Sequence, residues 1–204
     1  MGHIDDSYCE TGDKAITMAT PLLQRMSYRG YIDTLETGSR LVIPLQRQGI
    51  DVMVWTAPGE VYCIEVKGEE KHSDNIFIEE IESSLTGKPG WANRLESDML
   101  LWVFLPTRIA HMVEIQALFE YYSSNRHKYE QKRCYKGRGY SVGTVIPWID
   151  LCFFLEANQY QVFNLDKPSN WDNKLSIMGL LPSSMERNNQ HIIGRNEYHA
   201  CSPC

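Results

Sequence analysis

The sequence predicts an α/β fold, a central mixed β-sheet flanked by helices, and three features predict it. Residues 48–68, QGIDVMVWTAPGEVYCIEVKG, alternate apolar and other side chains on two arms around a Pro–Gly turn, which is the pattern of a β-hairpin. Residues 13–29 and 109–124 carry apolar residues at helical spacing. Short strand-like runs fill most of the remainder. At 204 residues, with 43% hydrophobic and 23% charged content, the chain has the composition of a globular domain large enough to bury a core.

In chain order, DKAITMATPLLQRMSYR (13–29) predicts a helix that starts near Asp13 and is kinked or divided by Pro21. RLVIPL (40–45) predicts the first core strand or its lead-in, and the hairpin follows. IFIEEI (76–81) reads as a strand, and TGKPGW turns the chain into another at 99–105. In 109–124, Ile109, Met112, Ile115, Leu118, Phe119 and Tyr122 form one helical stripe, which leaves His111 off it as a surface residue. Residues 126–138 predict a pliable loop, 143–155 one or two strands, and 159–165 a last strand. Beyond that, periodicity fades. The expected organisation is a domain over 1–165 followed by an irregular extension, 166–204.

The chemistry concentrates on the hairpin. Asp51 opens its first arm, and Glu65 and Lys67 lie near the end of the second. Alternation puts Glu65 and Lys67 on one face, about 7 Å apart along the strand, with Ile64 and Val66 facing the core. An antiparallel return brings Asp51 level with them, so two carboxylates and an amine converge at the edge of a sheet. Two carboxylates about 4 Å apart repel by about 4 kcal/mol at an effective dielectric near 20, unless a cation joins them. Mg²⁺ takes carboxylate oxygens, waters and phosphate oxygens, and Asp51, Glu65 and the Val66 backbone carbonyl would supply a fitting donor set. Lys67 would orient the attacking water or stabilise the charge that develops on phosphorus. The acid-x-Lys pattern occurs four times, but only here does it lie in an apolar strand paired by a tight turn to another that opens with an acid. A solvated ion pair is the alternative for Glu65 and Lys67.

Beyond the hairpin, five short motifs follow one another: Gly49-Ile50-Asp51, Glu65-Val66-Lys67, Asn75-Ile76-Phe77-Ile78-Glu79, Gly87-Lys88-Pro89-Gly90-Trp91 and Ser97-Asp98. Together they resemble the PD-(D/E)xK nuclease superfamily, most closely its small phage-type and Holliday-resolvase-like members. The likeness spans roughly residues 45–105. It implies a restriction-endonuclease-like core and a Mg²⁺- or Mn²⁺-dependent deoxyribonuclease, expected to be an endonuclease. It further implies metal ligation by Asp51 and Glu65, Lys67 as the catalytic lysine, and Glu79 as an accessory or substrate-orienting acid. The family's acid on the preceding helix has no motif match, and Asp13, Asp33 and Glu36 are the candidates for it.

DNA is the expected partner, and the likeness allows a homodimer. Residues 126–138 hold Arg126, Lys128, Lys132, Arg133, Lys136 and Arg138 against Glu130 alone, with Tyr129, Tyr135 and Tyr140 interleaved or adjacent. Such a segment can hold phosphates and stack on exposed bases. Outside it, 14 basic and 25 acidic residues leave a balance of −11, so nucleic acid would be held on one face. The alternatives are a catalytically inactive nucleic-acid-binding or interaction module on the same fold, or an RNA-cleaving relative. No apolar run approaches membrane-spanning length, no secretory signal is visible, and six scattered cysteines suit a reduced, cytoplasmic protein. Cys201 and Cys204, near His199, are spaced as half of a zinc site, but with no second CxxC pair an irregular tail is the preferred reading.

Overall fold

The computed structural model describes residues 6–30, 32–34, 45, 48–136 and 139–181. In chain order its elements are α1 (Asp6–Met26), β1 (Ile32–Thr34), β2 (Val52–Ala57), β3 (Glu60–Glu69), β4 (Asn75–Ser83), β5 (Lys88–Pro89), β6 (Met99–Phe104), β7 (Ile109–Glu114), α2 (Ile115–Asn125), β8 (Gln131–Lys136), β9 (Gly139–Pro147), α3 (Trp148–Phe154), β10 (Tyr160–Asn164) and α4 (Trp171–Ile177). The central sheet has the order β1-β2-β3-β6-β7-β10. It is mixed, because β3 and β6 run parallel while the other pairs are antiparallel. A parallel pair needs a long crossover, which is usually helical. Here β4, β5 and the short 3-10 turn Trp91–Asn93 make that crossover, and β4 and β5 belong to a second sheet of order β5-β4-β9-β8.

Both faces of the central sheet are buried, which explains why β6, Met-Leu-Leu-Trp-Val-Phe, is apolar at every position. Alternate residues divide between two cores. Met99, Leu101 and Val103 join Val52, Val54, Ile64 and Val66 beneath α1 and α4. Leu100, Trp102 and Phe104 meet Ile76 and Ile78 of β4, Ile146 of β9, and residues of α2 and α3. α1 settles closely on β3 because Gly68 has no side chain. A β-carbon there would stand 2.5 Å from the carbonyl oxygen of Thr11.

The hairpin, the strand over 76–81, the strand at 99–105 and the last strand form where the sequence places them. The hairpin turn is Pro58-Gly59, between the paired Ala57 and Glu60, with Gly59 at φ +86°, as a type II turn requires. Elsewhere the structure departs from expectation. α1 begins seven residues before Asp13, which is therefore an exposed mid-helix residue, and it runs unbroken through Pro21. Buried Ala19, Leu22, Leu23 and Met26 fix the turns on both sides of the proline to the sheet.

Residues 109–124 divide into β7 and α2. Ala110, Met112 and Val113 are all buried because β7 is covered on both faces, and such burial mimics a helical stripe. His111 is consequently buried. It lies among Phe104, Trp148 and Tyr160, with Nδ1 2.6 Å from the Tyr160 hydroxyl, and burial pulls its pKa down to about 4.

The run 143–155 is the end of β9 followed by α3. Trp148 and Leu151 of that helix enter the core, while Ile149, Phe153 and Phe154 stay exposed. The basic segment is no loop along 131–136 but the edge strand β8. Part of the expected irregular extension is α4, whose Trp171 and Leu175 belong to the core with α1, so no core boundary falls at 165. The expected first core strand, 40–45, lies outside the described residues except for Leu45, as do Glu36, Cys201 and Cys204. Among the described residues, no helix is long and apolar enough to cross a membrane.

Candidate active site

Register brings the hairpin acids together. Val52 pairs with Ile64, so the preceding Asp51 stands opposite Glu65, and its N–H donates to the Ile64 carbonyl at 3.0 Å. The Asp51 carboxylate turns back along β3 and accepts the Val66 N–H at 2.9 Å. The N–H and C=O of one strand residue point to the same side, so the Val66 carbonyl also points toward Asp51. Glu65 is buried beside Asp51 and within hydrogen-bonding reach of it, and the Lys67 ammonium pairs with Glu65 Oε1. The three side chains expected to converge do so. They meet inside the sheet rather than at its edge, since β3 lies between β2 and β6.

Burial and the neighbouring Glu65 charge raise the pKa of Asp51 to about 7, although Lys67 and the Val66 N–H pull the other way. One ammonium faces two carboxylates, so the cluster falls one positive charge short of neutrality when both acids are ionised. Gly49 lets the backbone approach this pair. It adopts φ +71°, and a β-carbon on it would meet Leu95 at 2.4 Å and Glu65 Oε2 at 3.3 Å. The glycine before the Asp motif thus has a steric reason, in a backbone region that other residues rarely adopt.

The other candidates are placed elsewhere. Glu79 is buried on β4 of the second sheet. It does not make a third carboxylate with Asp51 and Glu65: among the described residues, no group of three or more His, Cys, Asp or Glu side chains is spaced to hold a metal ion. Its neighbour Glu80 accepts from the Tyr122 hydroxyl and from Gln131 Nε2 at 2.9 Å, and Arg126 lies 3.4 Å away. Glu82 pairs with Lys88 and Arg94 at 2.6 and 2.8 Å. Asp33, on β1, accepts the Trp55 indole N–H at 3.2 Å.

Asp98 has a structural task. Its carboxylate accepts the Cys63 N–H at 2.8 Å while its own N–H donates to the Cys63 carbonyl, which sets the start of β6 against β3. Sequence reasoning missed the continuation of the charged face beyond Lys67. Glu69 follows it by two residues and accepts the Trp102 indole N–H at 2.9 Å, and Trp102 is level with Lys67 across the β3–β6 pair. The alternation Glu65, Lys67, Glu69 was the available signal.

In the 3-10 turn that precedes β8, Lys128 donates to Asn125 at 2.7 Å, and on β8 Lys132 lies 3.5 Å from Glu130. The Arg133 guanidinium sits 5.0 Å from the centre of the Tyr140 ring. The Lys136 side chain and the whole of Arg138 lie outside the described residues. The chain matches no protein-family model, no curated protein and no solved structure.

Proposed function

We propose that this protein is a metal-dependent nuclease that hydrolyses DNA phosphodiester bonds with an activated water. The observation that carries the reading is the meeting of Asp51 and Glu65 across the β2–β3 pair, with Lys67 on Glu65 and the Val66 carbonyl alongside. This all-oxygen donor set suits Mg²⁺ or Mn²⁺, which are commonly held by one or two carboxylates plus water and substrate phosphate. The net negative charge of the cluster would attract a divalent cation, whose surplus positive charge the substrate phosphate would balance. Such an ion polarises a phosphoryl oxygen and lowers the pKa of a bound water.

The chain's own groups do the rest. Asp51, fixed by the Val66 N–H, and Glu65, fixed by Lys67, hold their carboxylates in place before any substrate arrives. The Lys67 side chain is 30% exposed, so its ammonium can reach the phosphate and offset charge as the phosphorane forms. The exposed cations of β8 would take the flanking backbone phosphates.

The test is a cleavage assay on linear duplex, single-stranded, nicked and four-way-branched DNA with Mg²⁺ or Mn²⁺, run beside Lys67→Ala. Cleavage that needs both the ion and Lys67 supports the reading, and the preferred substrate narrows it. Binding without cleavage of any substrate replaces it with a non-catalytic nucleic-acid-binding protein.

A further inference from the structure

The outer hairpin of the second sheet carries exposed side chains that core packing does not call for. β8 pairs with β9 along Gln131–Lys136, and alternation sends Gln131, Arg133 and Tyr135 to one face. Opposite them on that face stand Thr144, Val142 and Tyr140. Tyr135 is 79% exposed, yet its ring stands edge-on to Tyr140 with centroids 5.9 Å apart. Arg133 covers the Tyr140 ring from the next position on the face. The inner end of the row is tied down, since Gln131 donates to Glu80 at the rim of a cleft that Arg126, Asn93, Ser123 and Phe119 also line.

From Gln131 to Tyr135 the strand rises about 14 Å. Beyond the tied Gln131 the face offers guanidinium and aromatic groups, and at the cleft below stands Arg126, still 56% exposed although it lies 3.4 Å from Glu80. An exposed aromatic ring held at a fixed angle by a second ring is a platform for a flat partner. A guanidinium beside it serves an anionic backbone or stacks on the same partner. Duplex DNA keeps its bases stacked inside, so Tyr135 would meet only sugar and phosphate there. An unpaired strand presents base faces, and aromatic stacking on them tolerates any sequence.

We infer that the Gln131–Arg133–Tyr135 face of β8, with Tyr140, is a binding track for unpaired DNA, on which a base stacks against Tyr135 while Arg133 and Arg126 hold the backbone. The inference rests on the nuclease reading for its choice of DNA, and it names the form of substrate that reading leaves open. It requires a preference for single-stranded or locally unpaired DNA over duplex.

The test is fluorescence anisotropy with a labelled 12-nucleotide oligo-dT and a 12-base-pair duplex, in chelator so that nothing is cleaved. The wild type is compared with Tyr135→Ala and Tyr135→Trp. Because Tyr135 is exposed, circular dichroism of both variants should match the wild type. The expected result is tighter binding of the single strand, weakened roughly tenfold by Tyr135→Ala, restored by Tyr135→Trp, and a duplex affinity that changes less than about twofold. Equal affinity of the wild type for both forms overturns the track, as does a Tyr135→Ala variant that binds the single strand unchanged or loses both forms equally. The readout is independent of catalysis. A protein that passes it but cuts no DNA with Mg²⁺ overturns the nuclease reading alone, and one that cuts but fails it overturns the track alone.

Discussion

The β2–β3 acid site and the β8–β9 hairpin both gather charge on paired strands, and their surroundings give that charge opposite uses. At the acid site, Asp51 and Glu65 face each other in the interior of a sheet covered on both sides, where each carboxylate loses water and feels the other. On the hairpin, Lys132, Arg133 and Tyr135 lie on an edge strand in solvent, where a cation keeps its hydration and interacts weakly until a polyanion arrives. Burial and the Glu65 charge act against ionisation of Asp51 at the one, and exposure leaves the cations of the other hydrated. The two regions differ in burial as well as in the sign of their charge.

Three substitutions would break or sharpen that contrast. The largest effect is expected from Glu65→Gln, which removes one of the paired charges and the partner of Lys67. Cleavage should fall by at least about a thousandfold, with divalent-ion affinity lost alongside, in a nicking assay and isothermal titration run on the same sample. Retained cleavage would remove the proposed site altogether.

Asp51→Asn should have the next largest effect, and in the direction of greater stability. The folded-state pKa of Asp51 is raised from 3.8 to about 7, so the folded chain keeps a proton that the unfolded chain has released. That contribution is fully present below pH 3.8 and is lost as pH rises through 7. In chelator the variant should therefore be more stable than the wild type by about 4 kcal/mol at pH 8, and no different at pH 3.5, by urea denaturation. Added Mg²⁺ should stabilise the wild type and leave the variant unmoved. A wild type whose stability is flat between pH 4 and 8 would show that burial and the Glu65 charge do not raise the pKa of Asp51.

The smallest effect belongs to Arg133→Ala. Binding to DNA should weaken several-fold at low salt, and the slope of log affinity against log salt should fall by about one. Stability and divalent-ion affinity should stay at wild-type values. A change in either would tie the hairpin to the acid site and end the comparison.

Local pattern makes the acid site legible in the amino-acid sequence. Gly49-Ile50-Asp51, a two-residue turn and Glu65-Val66-Lys67 mark out the antiparallel hairpin, and a bulge between Trp55 and Ala57 shifts the register set at the turn by one residue, which brings Asp51 opposite Glu65. The stretches that mislead are those rich in apolar residues on more than one side. Along 109–114 and 148–154 no regular polar face remains, and once that face disappears the period that separates strand from helix disappears with it. His111 is misplaced for the same reason. An isolated histidine off an apparent stripe reads as surface, and only the packing of Trp148 and Tyr160 around β7 buries it.

The sequence by itself determined the hairpin, its turn, the faces of β3 and the meeting of Asp51, Glu65 and Lys67, because these follow from contacts within about twenty residues of one another. Tertiary structure decided that the crossover from β3 to β6 belongs to a second sheet, that Glu79 is buried on a strand of that sheet, and that the basic segment is an edge strand with an exposed aromatic face. Those outcomes depend on pairing between residues far apart in the chain, such as β4 with β9. Local periodicity carries no record of which distant strand will complete a sheet.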